Sequence, residues 1–458
     1  MTQVLRHWRA PFVTVLTVAL GLLFLPSAAL GQEARESRSS IRIVSDAEFD
    51  EAHGVRSGSG TAEDPYVISG WDVSSLFIKD TNASVVITDN SVRGTMVLDW
   101  IGRDVTVTDN TVRDLRVNQN VPRTGLPTSG VISNNTFDVV GQLRHWDGEF
   151  SHNVVGQPFG TGPVETVEQE LYSYRAVNFD GFNGAHFTEN DIFGYVDVRI
   201  HGHHHSSGFG DDSHNHGGGA DHAMMDHSNR YHEVFFHNNR ITVPPGQRYA
   251  LQYVDNNHAG NDRTANSEEN PALNDPHIHY TRVHLTDNVL NGAGLLVNIF
   301  NANDERHIDT SRGLLEIDRN TITLARSEVM GSGGTDGITV QQARDVDVYV
   351  RDNNVTGPAD TIYQQLPFVT VNATTGIDLR TVDKANIRLY DNHISNTMYG
   401  IYSSGFTESV RWFIGGLVTE DVEQPITATS SVANDWEERP AEETEEAPAE
   451  EEGTHQHG

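Results

Sequence analysis

Between His201 and His227 the chain reads HGHHHSSGFGDDSHNHGGGADHAMMDH, with eight histidines, two adjacent methionines and almost no side chain able to enter a core. Imidazole joined by thioether and carboxylate, with no thiolate anywhere, suits copper, zinc or nickel rather than an iron–sulfur centre. Met224 and Met225 tilt the choice toward copper, since a thioether is a soft ligand for the reduced ion. The glycine spacers argue for capture with ordering on binding rather than for a rigid, pre-formed site. Sixteen of the 23 histidines lie between His186 and His307, so the enrichment extends past this one stretch. His277 and His279 stand one residue apart on an expected strand and would point to the same side. His284 lies shortly after them. The expected transition-metal ligands, for copper or zinc, are His201, His203, His204, His205, His214, His216, His222, His227, His258, His277, His279 and His307. Two other readings stay open: a solvated linker, and a pH sensor whose rings charge below about pH 6.5.

A second chemistry needs different residues. A polysaccharide lyase requires a base to remove the proton beside a uronate carboxylate, and a cation to stabilise the resulting enolate. Arg199, Arg248 and Arg282 are candidates for the base, and the nearby Asp197, Asp255 and Asp275 are candidates for holding Ca²⁺. Asp211 and Asp212 offer the paired carboxylates of a glycosidase. They sit in the glycine-rich stretch, where nothing fixes their separation. Nucleophilic catalysis has no support: the chain has no cysteine and no GxSxG turn.

Some frame must position these groups. Arg6 and Arg9 precede the apolar run FVTVLTVALGLLFL (12–25), and small residues at Ala29 and Gly31 suit cleavage. Residues 1–31 thus read as a signal peptide, and the mature chain as secreted or periplasmic. Without cysteine it is neither a lipoprotein nor stapled by disulfides. No later stretch is long and apolar enough for membrane insertion. The formal net charge of −33 argues against nucleic acid or an anionic membrane as partner, leaving metal ions or a polysaccharide. Lys79 and Lys384 are the only lysines. Residues 427–458, ending EERPAEETEEAPAEEEGTHQHG, read as a disordered acidic tail.

Between these ends one pattern recurs: apolar, any, apolar, one or two polar residues, then asparagine. It reads VVITDNSV, VTVTDNTV, VISNNTF and EFSHNVV, then HFTENDI, VFFHNNRI, VHLTDNVL, LEIDRNTI, VYVRDNNV and IRLYDNHI. The shared asparagines are Asn90, Asn110, Asn135, Asn153, Asn190, Asn239, Asn288, Asn320, Asn353 and Asn392. The shortest separations, 20, 25 and 18 residues, fit single turns of a coil. Alternation with period two means strand, and the valine, isoleucine and threonine enrichment agrees. Gly337 and Gly376 each lie 16 residues before their asparagine, so a second element keeps phase. Stacked parallel coils would place each asparagine over the one below, joining the amides into a ladder. Asparagine also tolerates the left-handed backbone that such a turn requires.

The pattern GI-x-[LV]…V-x-[IV]-x-DN-x-[IV] resembles the right-handed parallel β-helix repeat of the pectate-lyase-like superfamily. GSGTAEDPYVISGWDV (58–73) is similar to the segment opening many NosD-type and carbohydrate-binding or sugar-hydrolase periplasmic domains. The resemblance spans roughly residues 41–426. It implies an all-β solenoid of about ten or more coils. It also implies either a NosD-like accessory role in copper handling or activity on carbohydrate. SDAEFDEAHG (45–54) is expected to form a short capping helix with Ser45 as N-cap.

The organisation expected is therefore a cap in 32–57 and a β-helix over 58–426, with insertions at 201–232, 255–276 and 301–312. Those insertions follow the strand pattern at similar phase, so stacking should crowd them, and their histidines, onto one face. The reading with most support is a non-catalytic metal-capturing protein. A lyase or glycan binder is the alternative, and a structural surface protein the second alternative.

Overall fold

A computed structural model describes residues 35–101, 105–118, 130–144, 146, 148–158, 175–180, 185–200, 231–245, 247–255, 280–300, 313–325, 336–344, 346–358, 365–366, 369–370, 374–407, 409–429 and 436–438. Almost every element among them is a strand, and apart from the short antiparallel pair Gln365–Leu366 with Val369–Thr370 the strands pair in parallel. The chain is a parallel β-helix.

Each coil visits three sheets. The strand before the asparagine belongs to a 13-stranded first sheet running from Tyr66–Ser69 to Glu437–Glu438. A short strand just after the asparagine forms a second sheet, and a longer strand then forms a third. The last two are hydrogen-bonded into one 23-stranded ladder because some strands run through both. Ser91–Ile101, for instance, pairs with Asp72–Val73 at its start and with Leu76–Thr81 at its end.

Alternating residues point inward and pile up with their like. In the third sheet Val196, Leu251, Leu295, Ile338, Ile377 and Ile401 are register partners in turn. All six are essentially buried. Phe150, Phe187 and Phe236 stack inside the first sheet with ring centroids 5.4 and 4.6 Å apart, and Phe137 of the second sheet lies 6.2 Å from Phe150. With one residue in two buried, such a coil gains enough apolar burial to hold without disulfides.

The expected asparagine ladder is present, and it is continuous from Asn90 to Asn392. In each internal rung the backbone N–H and the side-chain amide both donate to the Oδ1 of the next asparagine. The pair Asn288 to Asn320 shows both bonds at 3.0 Å. The same amide donates a second bond to a strand carbonyl of an adjacent coil, as Asn288 does to Phe236 at 2.9 Å. The amide of each internal asparagine is thereby paired at both its oxygen and its nitrogen. One expectation needs correcting. The left-handed residue is the one before the asparagine, with φ of 52–58° at Asp89, Asp109, Asn134, His152, Glu189, Asn238, Asp287, Arg319, Asp352 and Asp391. The asparagine is retained for its amide, not for its backbone.

The phase of Gly337 and Gly376 also has a cause. A Cβ on Gly337 would lie 2.4 Å from Val355 Cγ1 and 2.5 Å from the Gly376 carbonyl. At the N-terminal end the strands Glu36–Arg38 and Ile41–Ile43 already pair with the stack. The expected capping helix is instead two 3₁₀ turns, Asp46–Glu48 and Glu51–His53. Ser45 makes no capping bond; Asp50 does, accepting from the His53 N–H. At the other end the last third-sheet strand, Gln424–Ala428, carries Pro425, which offers no N–H to an incoming strand.

Candidate functional site

Three third-sheet strands end where the histidine-bearing segments begin. Ile200, Asp255 and Ile299 are register partners in turn, so segments 201–230, 256–279 and 301–312 leave one edge on successive rungs. All twelve candidate metal-ligating histidines lie outside the described residues. Among the described residues no group of three or more metal-ligating side chains comes together.

The opposite end of the third-sheet strands also receives long segments. Residues 159–174, 326–335 and 359–374 intervene between second-sheet and third-sheet strands. The third sheet is thus the one bordered by insertions at both strand ends, and its outer face is the natural place for a ligand.

That face sorts charge by depth. Asp197 points outward between the core residues Val196 and Val198, yet is only 2% exposed. It pairs with Arg175 (3.5 Å) and Arg199 (3.1 Å), whose side chains are 42% and 52% exposed. Asp378, on the same outward column, is fully buried, and it pairs with Arg380, which is 39% exposed. Arg380 also reaches Asp336 at 3.3 Å. Arg248 is exposed as well and lies over the Tyr249 ring at 5.1 Å. Carboxylates lie underneath and guanidinium groups meet solvent, on a chain whose net charge is −33.

Asp336 and Asp378 form a close acidic pair. Burial, and then the negative charge of Asp378, push the Asp336 carboxyl up to about 7, although Arg380 pulls the other way. Burial likewise raises the phenol of Tyr249, which interacts electrostatically with Asp336, Arg380 and Asp378. Two buried polar atoms at this place have no hydrogen-bond partner: the Thr339 hydroxyl and the Arg380 Nε. Thr339 is the register partner of Asp378. Unsatisfied buried polar atoms are costly to a fold.

The first sheet offers a contrasting outer face. His186, Phe235 and His284 are successive register partners with rings stacked at 4.4 and 4.6 Å, both 7° from parallel. Their faces cover one another, so they make no platform for a ligand. His284 donates to Glu316 (2.7 Å) through Nδ1 and to Glu233 (3.0 Å) through Nε2. Burial opposes its charge, but the two carboxylates prevail and hold its pKa up at about 9. The ring is an imidazolium with both nitrogens engaged, which disqualifies it as a metal ligand. Arg282 lies here too, 4.0 Å from Glu233, on a different face from Arg199 and Arg248. The three arginines considered together as a lyase base are not brought to one place.

Asp336, Asp378, Arg380 and Tyr249 were not visible to motif reading. The one signal available was DGITV and TGIDL, the paired segments that place Asp336 and Asp378 at related phases. Comparison with protein-family models, with curated proteins and with solved structures gives no match for this chain.

Proposed function

We propose that the chain is an exported β-helix that binds an acidic polysaccharide along the outer face of its third sheet. The observation carrying this reading is the sorting of charge by depth: Arg175, Arg199 and Arg380 exposed above Asp197 and Asp378. A guanidinium held from below by a buried carboxylate is oriented in advance for a carboxylate arriving from solvent. Repulsion from the acidic remainder is screened beyond about 8 Å at physiological salt. Cleavage is a further step, for which the acidic pair and Tyr249 are the available proton-transfer groups. The test is calorimetry of polygalacturonate and alginate against the whole protein and an Arg199→Gln variant, with ultraviolet absorbance followed for unsaturated uronate. Binding that weakens in the variant is expected. Silence toward every uronate polymer rejects the reading.

A second reading is transition-metal capture, of copper or zinc, by the histidine-bearing segments. Its support is the register of Ile200, Asp255 and Ile299, which roots three such segments on adjacent rungs. A NosD-like role in periplasmic copper handling belongs to this reading. Calorimetry with Cu²⁺ and Zn²⁺, on the full chain and a variant lacking residues 202–226, decides it. Equal weak binding by both forms removes it.

A further inference from the structure

The arginine face has a measurable spacing. Arg199, Val254, Asn298, Gln341 and Arg380 are register partners on five successive third-sheet strands. Four steps therefore separate Arg199 from Arg380, about 19 Å at 4.8 Å per strand. Between the two lie uncharged groups. Asn298 donates its amide to Gln342 at 2.9 Å, but its Oδ1 is buried with no partner. Thr339, one column over, has a buried hydroxyl with no partner.

We infer that the face measures chain length: Arg199 and Arg380 are two anchors for carboxylates at the ends of one span of acidic oligosaccharide. This rests on the polysaccharide reading above. The physical basis is effective concentration. An oligomer too short to bridge the anchors engages one arginine at a time. An oligomer that reaches both makes its second contact intramolecularly, gaining affinity without any new kind of contact. A pyranose residue advances a chain by about as much as one strand spacing, so the threshold falls at roughly four to five residues.

The spacing also explains which arginine belongs to which anchor. Arg199 shares Asp197 with Arg175, so two guanidinium groups stand over one carboxylate and leave positive charge to spare. Arg380 stands over Asp378 and beside Asp336. Asp336 is the first residue after the segment 326–335, so this anchor lies at the border of an insertion.

The experiment is calorimetry of oligogalacturonates of increasing length, from the dimer upward, against the full chain and its Arg199→Gln variant. Arg199 is exposed and its loss leaves Asp197 paired with Arg175, so the variant should fold; Arg380→Lys, which keeps a charge over Asp378, is the matching change at the other anchor. The expected result is a step of about tenfold or more in affinity at the threshold length. Arg199→Gln should abolish the step and lower the affinity of short oligomers only by about twofold, since they keep the Arg380 anchor. A smooth rise with length, or a step untouched by either variant, overturns the length measure and leaves the polysaccharide reading standing. Failure of every length to bind overturns both.

Discussion

Replacing Asn320 by alanine tests the ladder at its interior. The Asn320 side chain makes four hydrogen bonds. Its Oδ1 accepts from the backbone N–H and the amide of Asn288, each at 3.0 Å. Its amide donates to the Leu285 carbonyl at 2.7 Å and to Asn353 Oδ1 at 3.0 Å. Alanine leaves the buried Asn288 N–H without an acceptor, a cost of about 1–3 kcal/mol, and the other three bonds are each worth about 1 kcal/mol net. The expected loss is about 4–6 kcal/mol, a large part of the roughly 5–15 kcal/mol that holds a typical domain together. Asn392→Ala is the internal control. Asn392 ends the ladder, donating to Val350 and accepting from Asn353, with no further asparagine to reach. Its loss should cost about 1 kcal/mol less. Urea unfolding gives both values. Amide exchange at Asn288 locates the damage, which matters because a solenoid can open locally without unfolding as a whole. A loss below about 1 kcal/mol for Asn320→Ala, with Asn288 still protected, would refute the claim that amide satisfaction holds the turns in register.

Three other outcomes are expected. His284, with a folded pKa near 9 against 6.5 when unfolded, contributes stability that is complete below about pH 6.5 and is lost as pH rises toward 9. The shift corresponds to about 3 kcal/mol at most. Thermal melts of His284→Phe should lose that slope; an unchanged slope rejects the imidazolium assignment. Asp336, raised to about 7, becomes an added negative charge beside Arg380 as pH climbs through neutrality, so acidic-glycan binding should weaken there. Asp336→Asn should flatten that pH dependence, and binding titrations from pH 5.5 to 8.5 read it directly. Gly337→Ala places a Cβ against the Gly376 carbonyl and should destabilise the protein by about 1–3 kcal/mol in urea; a neutral result would mean the rungs can separate freely.

The repeat was legible because it is periodic in sequence. Alternating V-x-V, the asparagine and the phased glycine each recur, and stacking requires exactly such recurrence of type at fixed phase. The left-handed position was misread for an equally physical reason: Asp, Asn, His, Glu and Arg all occupy it, so no residue type announces it. Arg199 was found as a basic residue at a strand end near the insertions. Arg380 was not, because nothing in its own neighbourhood of sequence distinguishes it from a surface arginine.

The sequence by itself determined that the chain coils, which residues point inward and which amide runs up the column. These follow from local alternation and from side-chain chemistry repeated at every rung. Only the tertiary structure decided that Asp336 lies against Asp378, that Arg199 and Arg380 stand on one outward column, and that His284 is locked between two carboxylates. Those contacts join residues on different coils, separated along the chain by insertions of unequal length. The hydrogen-bond register between strands, and not distance in sequence, sets which side chains meet.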